Sequence, residues 1–170
     1  MTTFTLVHVG LSLVGIGSGF VVVFGLLAAK RLAGWTSVFL TTTALTSVTG
    51  FFFPFHRLLP SHVVGIVSLI VLAGAIFALY VRRLAGPWRR IYAISAVIAL
   101  YLNFFVLIVQ MFLKVPALKA LAPTQSEPPF QITQLVALAL FILLTVLAAI
   151  KFRANSVPVE PDRTVSARVA

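Results

Sequence analysis

The chain has 170 residues, 61% of them hydrophobic and only 9% charged, with a net charge of +10. A soluble domain carries about 25% charged residues, so this much apolar surface in so short a chain calls for lipid around it. Its basic residues are dispersed among segment ends with no interleaved aromatics, which argues against a nucleic-acid surface, and the absence of cysteine excludes disulfides, thiol catalysis and thiolate metal sites.

Five apolar segments follow one another, about residues 4–29, 35–53, 62–81, 91–113 and 132–150. Each is long enough at 1.5 Å per residue to cross a hydrocarbon core of about 30 Å. Met1–Phe4 carries no Lys or Arg, and the first segment far exceeds a signal-peptide core of about 7–15 residues. It is therefore expected to be a retained first helix. The connections are short, so consecutive helices should pack antiparallel. Gly34 is expected at the end of the first helix, and Pro54 and Pro60 at the breaks between the second and third. Gly86–Pro87 marks a turn, with Trp88 at an interface. The longest loop, 114–130, holds Pro116, Pro123, Pro128 and Pro129. Within it, 117–122 suits a short surface helix that could gate access to His8. Residues 154–170 form a polar tail expected to be disordered and cytoplasmic.

Lys and Arg set the orientation. With the N-terminus outside, Lys30, Arg31, Arg82, Arg83, Arg89, Arg90, Lys151, Arg153, Arg163 and Arg168 fall inside, and only Arg57, Lys114 and Lys119 fall outside. That is the positive-inside bias. The expected fold is thus all-α: an integral membrane bundle over 1–153 with five transmembrane helices, N-terminus out and C-terminus in.

The helices differ in kind. The first is rich in glycine, and Gly15 and Gly19 form a small-xxx-small pair for close helix packing. The second is rich in Thr and Ser, which are expected to bond to their own helix carbonyls. The fifth is almost purely aliphatic and is expected at the periphery. On the first helix His8, Ser12, Gly15 and Gly19 follow steps of four, three and four and share one face. On the fourth, Tyr92, Ala96, Ala99, Asn103 and Gln110 do the same, and on the third His62 and Gly65 lie together. His8, His62, Asn103 and Gln110 are therefore expected to point into the bundle.

All three histidines, with Glu127, Gln110, Gln131 and Gln134, fall toward the outer side. Several chemistries use such a set. His8 and His62 have the residue type and depth for the two axial ligands of one haem b. His8, His56, His62 and Glu127 have the atoms for a metal, without a ligand-spacing motif. His8, Asn103 and Gln110 suit hydrogen bonds to a quinone or other small ligand, and a histidine relay suits a proton path. The same residues also serve as helix-to-helix glue. No membrane segment carries Asp or Glu, and there is no Ser–His–Asp set, HExxH or P-loop, so a carboxylate-driven pump, hydrolysis and ATP use are not expected.

Residues 46–55 (TSVTGFFFPF) and 101–130 (YLNFFVLIVQMFLKVPALKALAPTQSEPPF) resemble small multipass inner-membrane proteins of bacteria that carry no assigned function. That resemblance implies a bacterial inner membrane and no particular chemistry. The core with outer histidines also resembles the cytochrome b561 type of bundle, from which it departs in having no histidine near the inner side or on the fourth helix. The expected function is a non-enzymatic binding or complex-partner module with a polar site at the outer face, working with the bilayer and a membrane partner or second copy. The alternatives are an electron-transfer subunit carrying haem b or a quinone, and a small transporter.

Overall fold

The computed structural model of the protein describes residues 3–53 and 60–152, with the backbone alone for 60–62. Six α-helices occur in the order α1 (Thr3–Leu27), α2 (Ala33–Gly50), α3 (Pro60–Ile76), α4 (Trp88–Lys114), α5 (Pro116–Leu121) and α6 (Pro128–Lys151), with α3 running on into a π-helical turn at Phe77–Val81. No strand occurs among the described residues. Four helical stretches are long and apolar enough to cross a membrane: Thr3–Leu27, Val63–Val81, Trp88–Lys114 and Pro128–Lys151. The second expected span forms a helix, α2, but its eight hydroxyl side chains keep it out of that set.

Helices start earlier than expected wherever a proline precedes them. Pro60, Pro116 and Pro128 each open a helix instead of stopping one. The first turn needs no N–H from its opening residues, and the fixed φ of proline is already helical there. α6 therefore begins four residues before its apolar run.

The first helix closes on Ala29, not on Gly34. Lys30 N–H donates to Gly25 O at 2.8 Å and Ala29 N–H to Leu26 O at 3.0 Å, with Ala29 at φ 56°. This is a Schellman closure with alanine in the left-handed position that glycine normally fills. Gly34 sits in the first turn of α2. Relieving the Cβ strain by Ala29→Gly should raise stability by about 0.5–1 kcal/mol. Denaturant unfolding in detergent micelles measures this, and an unchanged or lower stability contradicts the closure.

α1 to α4 close a four-helix ring, α1 against α2, α2 against α3, α3 against α4 and α4 against α1. The α1–α2 seam has a heptad pattern. His8, Ser12, Gly15, Gly19, Val22 and Leu26 on α1 and Phe39, Thr42, Thr46, Thr49 and Phe53 on or just past α2 both step by three and four, and His8 meets Thr49 and Phe53 while Gly15 meets Thr42 and Gly19 meets Phe39. Alternating three and four is the spacing that keeps two helices in register along a left-handed crossing. α6 packs outside, in the groove of α1 and α4, through Ala137, Phe141 and Ala148. Phe141 is its anchor, at 5.5 Å from both Tyr101 and Phe104 and 6.1 Å from Phe20. Leu135, Ile142, Leu143 and Ile150 of α6 are exposed apolar surface, consistent with the expected peripheral position.

α4 turns its buried face as it rises. Tyr92, Ala96, Ala99 and Asn103 face the ring, but beyond Asn103 the buried residues are Ile108 and Phe112, packed with Ala122 and Ala137. Gln110 is consequently exposed and does not point into the bundle. The seven-residue step from Asn103 kept it on the helical face, but the ring partners of that face end before it.

Candidate functional site

The seam between α1, α2 and α4 carries the polar residues in layers. At its end nearest the start of α1, His8 Nδ1 lies 2.8 Å from Thr49 Oγ1. Thr49 has one hydroxyl hydrogen, and its oxygen stands 2.7 Å from Leu45 O, a carbonyl that can only accept. The hydrogen therefore goes to Leu45, and Thr49 Oγ1 accepts from His8. This assigns the proton of a neutral His8 to Nδ1 and leaves the lone pair on Nε2. The ring is held from the other sides by Phe53, edge-on at 5.0 Å, and by Gly50, where a Cβ would stand 3.7 Å from His8 Cε1. Phe4 packs on Phe53 at 5.1 Å. The result is a half-buried imidazole with fixed orientation and one lone pair.

One turn deeper, Ser12 Oγ donates to Asn103 Oδ1 at 2.9 Å and ties α1 to α4. The other half of the amide, Nδ2, is buried without a hydrogen-bond partner, as are Thr43 Oγ1 and Thr46 Oγ1 of α2. Gly15 lies beside the first two. A Cβ at Gly15 would stand 3.1 Å from Asn103 Nδ2, 3.1 Å from Thr43 Oγ1 and 3.2 Å from Thr42 Oγ1. The absence of a side chain at Gly15 is what lets α2 and α4 bring three polar atoms to one point of α1.

Below this layer the seam becomes apolar. A Cβ at Gly19 would lie 2.6 Å from Leu100 and 2.9 Å from Phe39. Phe39 and Leu100 are fully buried, and Val22, Val23 and Leu26 continue the apolar packing. Thr36 Oγ1 and Tyr92 OH, 3.3 Å apart near the start of α2 and α4, form a polar contact between these helices at the far end. The upper polar layers and this lower pair are separated by a plug of packed carbon.

The expected site residues divide accordingly. His8 and Asn103 join the seam with Gly15, and Gly19 forms its floor. Gln110 does not join it. His56 lies outside the described residues, and so does the side chain of His62, so the haem and metal sets that use them lie there too. Among the described residues no group of three His, Cys, Asp or Glu stands close enough to hold a metal.

Glu127 precedes α6 and serves its own loop. Its carboxylate accepts from Thr124 Oγ1 at 2.8 Å, Thr124 N–H at 3.1 Å and Ser126 N–H at 3.1 Å. Desolvation pulls its pKa upward, but these donors outweigh it and hold the carboxyl below its usual range. The nearby glutamines are likewise structural: Gln125 donates to Val109 O, Gln131 to Ser126 O and Gln134 to Phe105 O. α5 forms at nearly the expected place, but it packs on α4 through the Ala122–Phe112 cluster, whereas the contacts of His8 are on α2.

Residues of α2 complete the site, and their role was obscured in the sequence by their local bonding. Thr42 and Ser47 bond to carbonyls four residues back, as hydroxyls in helices do. Thr43 and Thr46 do not. The signal that could have singled them out is register: only on pairing α1 and α2 antiparallel does the Thr42–Thr46–Thr49 stripe meet His8–Ser12–Gly15. No family model, curated protein or solved structure matches the chain.

Proposed function

We propose that the chain is a small polytopic protein of a bacterial inner membrane that acts as a non-enzymatic binding or complex-partner module, with its site in the polar half of the α1–α2–α4 seam. One observation carries this reading: three buried polar atoms without partners, Asn103 Nδ2, Thr43 Oγ1 and Thr46 Oγ1, lie along a seam that ends blindly at Phe39, Leu100 and Gly19. Buried polar groups are almost always hydrogen-bonded, so such a cluster is built to receive a polar partner. A blind seam suits binding, and its carbon floor argues against a path for protons or solutes through the bundle.

The proposed topology has five crossings with the N-terminus outside, α2 being the fifth. Its 18 residues span about 27 Å. Hydroxyls bonded to their own helix carbonyls cost little in lipid, which supports a crossing that composition alone does not identify. The ten-to-three distribution of Lys and Arg supports the orientation.

An electron-transfer role is the second reading, and the His8–Thr49 bond favours it. Nε2 carries the lone pair, the atom needed to ligate a haem iron or accept a hydrogen bond from a quinol. A Soret band in protein from haem-replete cells, lost in His8→Ala, would support that role, and a colourless folded protein ends its haem form.

The absence of cysteine makes the site directly testable. Ser12→Cys should react in intact cells with an impermeant thiol reagent added outside, and Thr36→Cys should not. Reaction of Thr36→Cys at a comparable rate would replace the blind site with a through-path. Reaction of Ser12→Cys only from the inside would reverse the topology.

A further inference from the structure

The other end of the bundle holds a second feature, independent of the seam and of which side of the membrane is which. A cleft of about 290 Å³ opens between α2 and the C-terminal part of α3. That is the space of roughly ten water-sized groups. Its walls are Leu40, Ala44 and Ile76, with Ser37, Thr41 and Tyr80 also lining it. Ser37, Thr41, Ile76 and Tyr80 are exposed, so the cleft opens on the outer surface of the bundle, where lipid would lie. The Ser37 hydroxyl is already donated to Ala33 O, so hydrocarbon walls dominate what a guest would meet.

The cleft depends on the π-turn. Arg82 N–H donates to Phe77 O at 3.0 Å, five residues back, which places one extra residue in the last turn. An inserted residue rotates the chain beyond it by about 100°. Ala78 and Leu79 remain in the core, and Tyr80 comes to line the cleft.

Both walls of the cleft lead into basic pairs. Lys30 and Arg31 precede Leu32, the N-cap residue of α2, and Ser37 lies in the second turn of that helix. Arg82 and Arg83 come directly after the π-turn that holds Tyr80. All four are exposed. The Arg82 guanidinium lies 5.1 Å from the Trp88 ring centre, a stacking that occupies its face and leaves its N–H edge for an oxyanion. Glu127 is the one carboxylate among the described residues, and it stands at the opposite end of α4. An apolar cleft that ends in four cations, with no carboxylate beside them among the described residues, is complementary to one class of molecule, with a hydrocarbon chain and an anionic head.

We propose that this cleft binds an anionic phospholipid, an acyl chain lying against Leu40, Ala44 and Ile76 and the phosphate held by the Lys30–Arg31 and Arg82–Arg83 pairs. Basic clusters beside membrane helices recognise anionic headgroups in this way. The test is native mass spectrometry of the full-length protein in dodecyl maltoside with phosphatidylglycerol or phosphatidylcholine of identical chains. Phosphatidylglycerol should be retained at least tenfold better. Arg31→Gln and Arg82→Gln should each lower its retention about fivefold, the change expected for one lost headgroup charge. Thr41→Trp, at an exposed position, should fill the cleft and lower retention without altering charge. Equal retention of the two lipids, or phosphatidylglycerol retention untouched by either the arginine or the Thr41 substitutions, overturns the proposal.

Discussion

Gly19→Val is expected to disrupt the bundle, whereas Gly17→Val two residues away should be tolerated. At Gly19 even a single methyl would stand 2.6 Å from Leu100 Cδ1 and 2.9 Å from Phe39 Cε2. Real carbon contacts do not form at those distances, so something must move. Leu100 and Phe39 are fully enclosed and have nowhere to go without separating α1 from α2 and α4. Overpacking of a close-packed site costs about 1–3 kcal/mol for each misfit, and the larger valine should exceed the alanine cost. At Gly17 nothing lies within 4 Å of the added carbon. The paired comparison removes intrinsic helix propensity from the result, because both sites are in the middle of α1. Unfolding midpoints in detergent, measured for both variants, decide it. Equal loss at the two positions would mean that the close approach at Gly19 does not hold the helices.

Phe39→Ala should have a double effect. The side chain is fully buried, and deleting a buried phenylalanine costs about 3–5 kcal/mol through lost transfer energy and the cavity left behind. The second effect is on the seam. Phe39 closes the polar layers of His8, Ser12, Thr43 and Asn103 against the Thr36–Tyr92 pair. Its removal should let a thiol reagent from the His8 end reach Thr36→Cys in the double variant. The single Thr36→Cys variant serves as the closed reference. If the double variant is stably folded and Thr36→Cys remains as unreactive as before, Phe39 is core packing only and the floor lies elsewhere.

These two residues illustrate a division of labour along α1. Its small and polar positions, His8, Ser12, Gly15 and Gly19, all serve the same seam, but each does something different. His8 is oriented by Thr49, Ser12 anchors Asn103, Gly15 admits the polar atoms of α2 and α4, and Gly19 admits their carbon. The seam is polar where α2 presents threonine and closed where it presents phenylalanine. The polar layers are thus confined to one half of the seam by a change in residue type at a single step of the heptad.

Some of this was legible in the sequence alone. Hydrophobic content and segment length require helices, because an unpaired backbone has no partner in lipid. The steps of four and three through His8, Ser12, Gly15 and Gly19 identified the inward face of α1, since a face is a local property of 3.6 residues per turn. The nearly pure aliphatic composition of α6 marked it as peripheral for the same reason. Tertiary structure decided what those faces meet. Gln110 satisfies the helical period yet is exposed, because its outward position depends on where the neighbouring helices end. Thr43 and Thr46 look like every other hydroxyl of α2, and only the tertiary structure shows that both are buried without a partner, Thr43 beside Gly15. The cleft between α2 and the end of α3 is lined by Tyr80 from a π-turn, an insertion of one residue in the hydrogen-bond ladder that periodicity does not reveal. Periodicity records which way a side chain leaves its own helix, whereas partners, closures and clefts arise between helices and depend on their register.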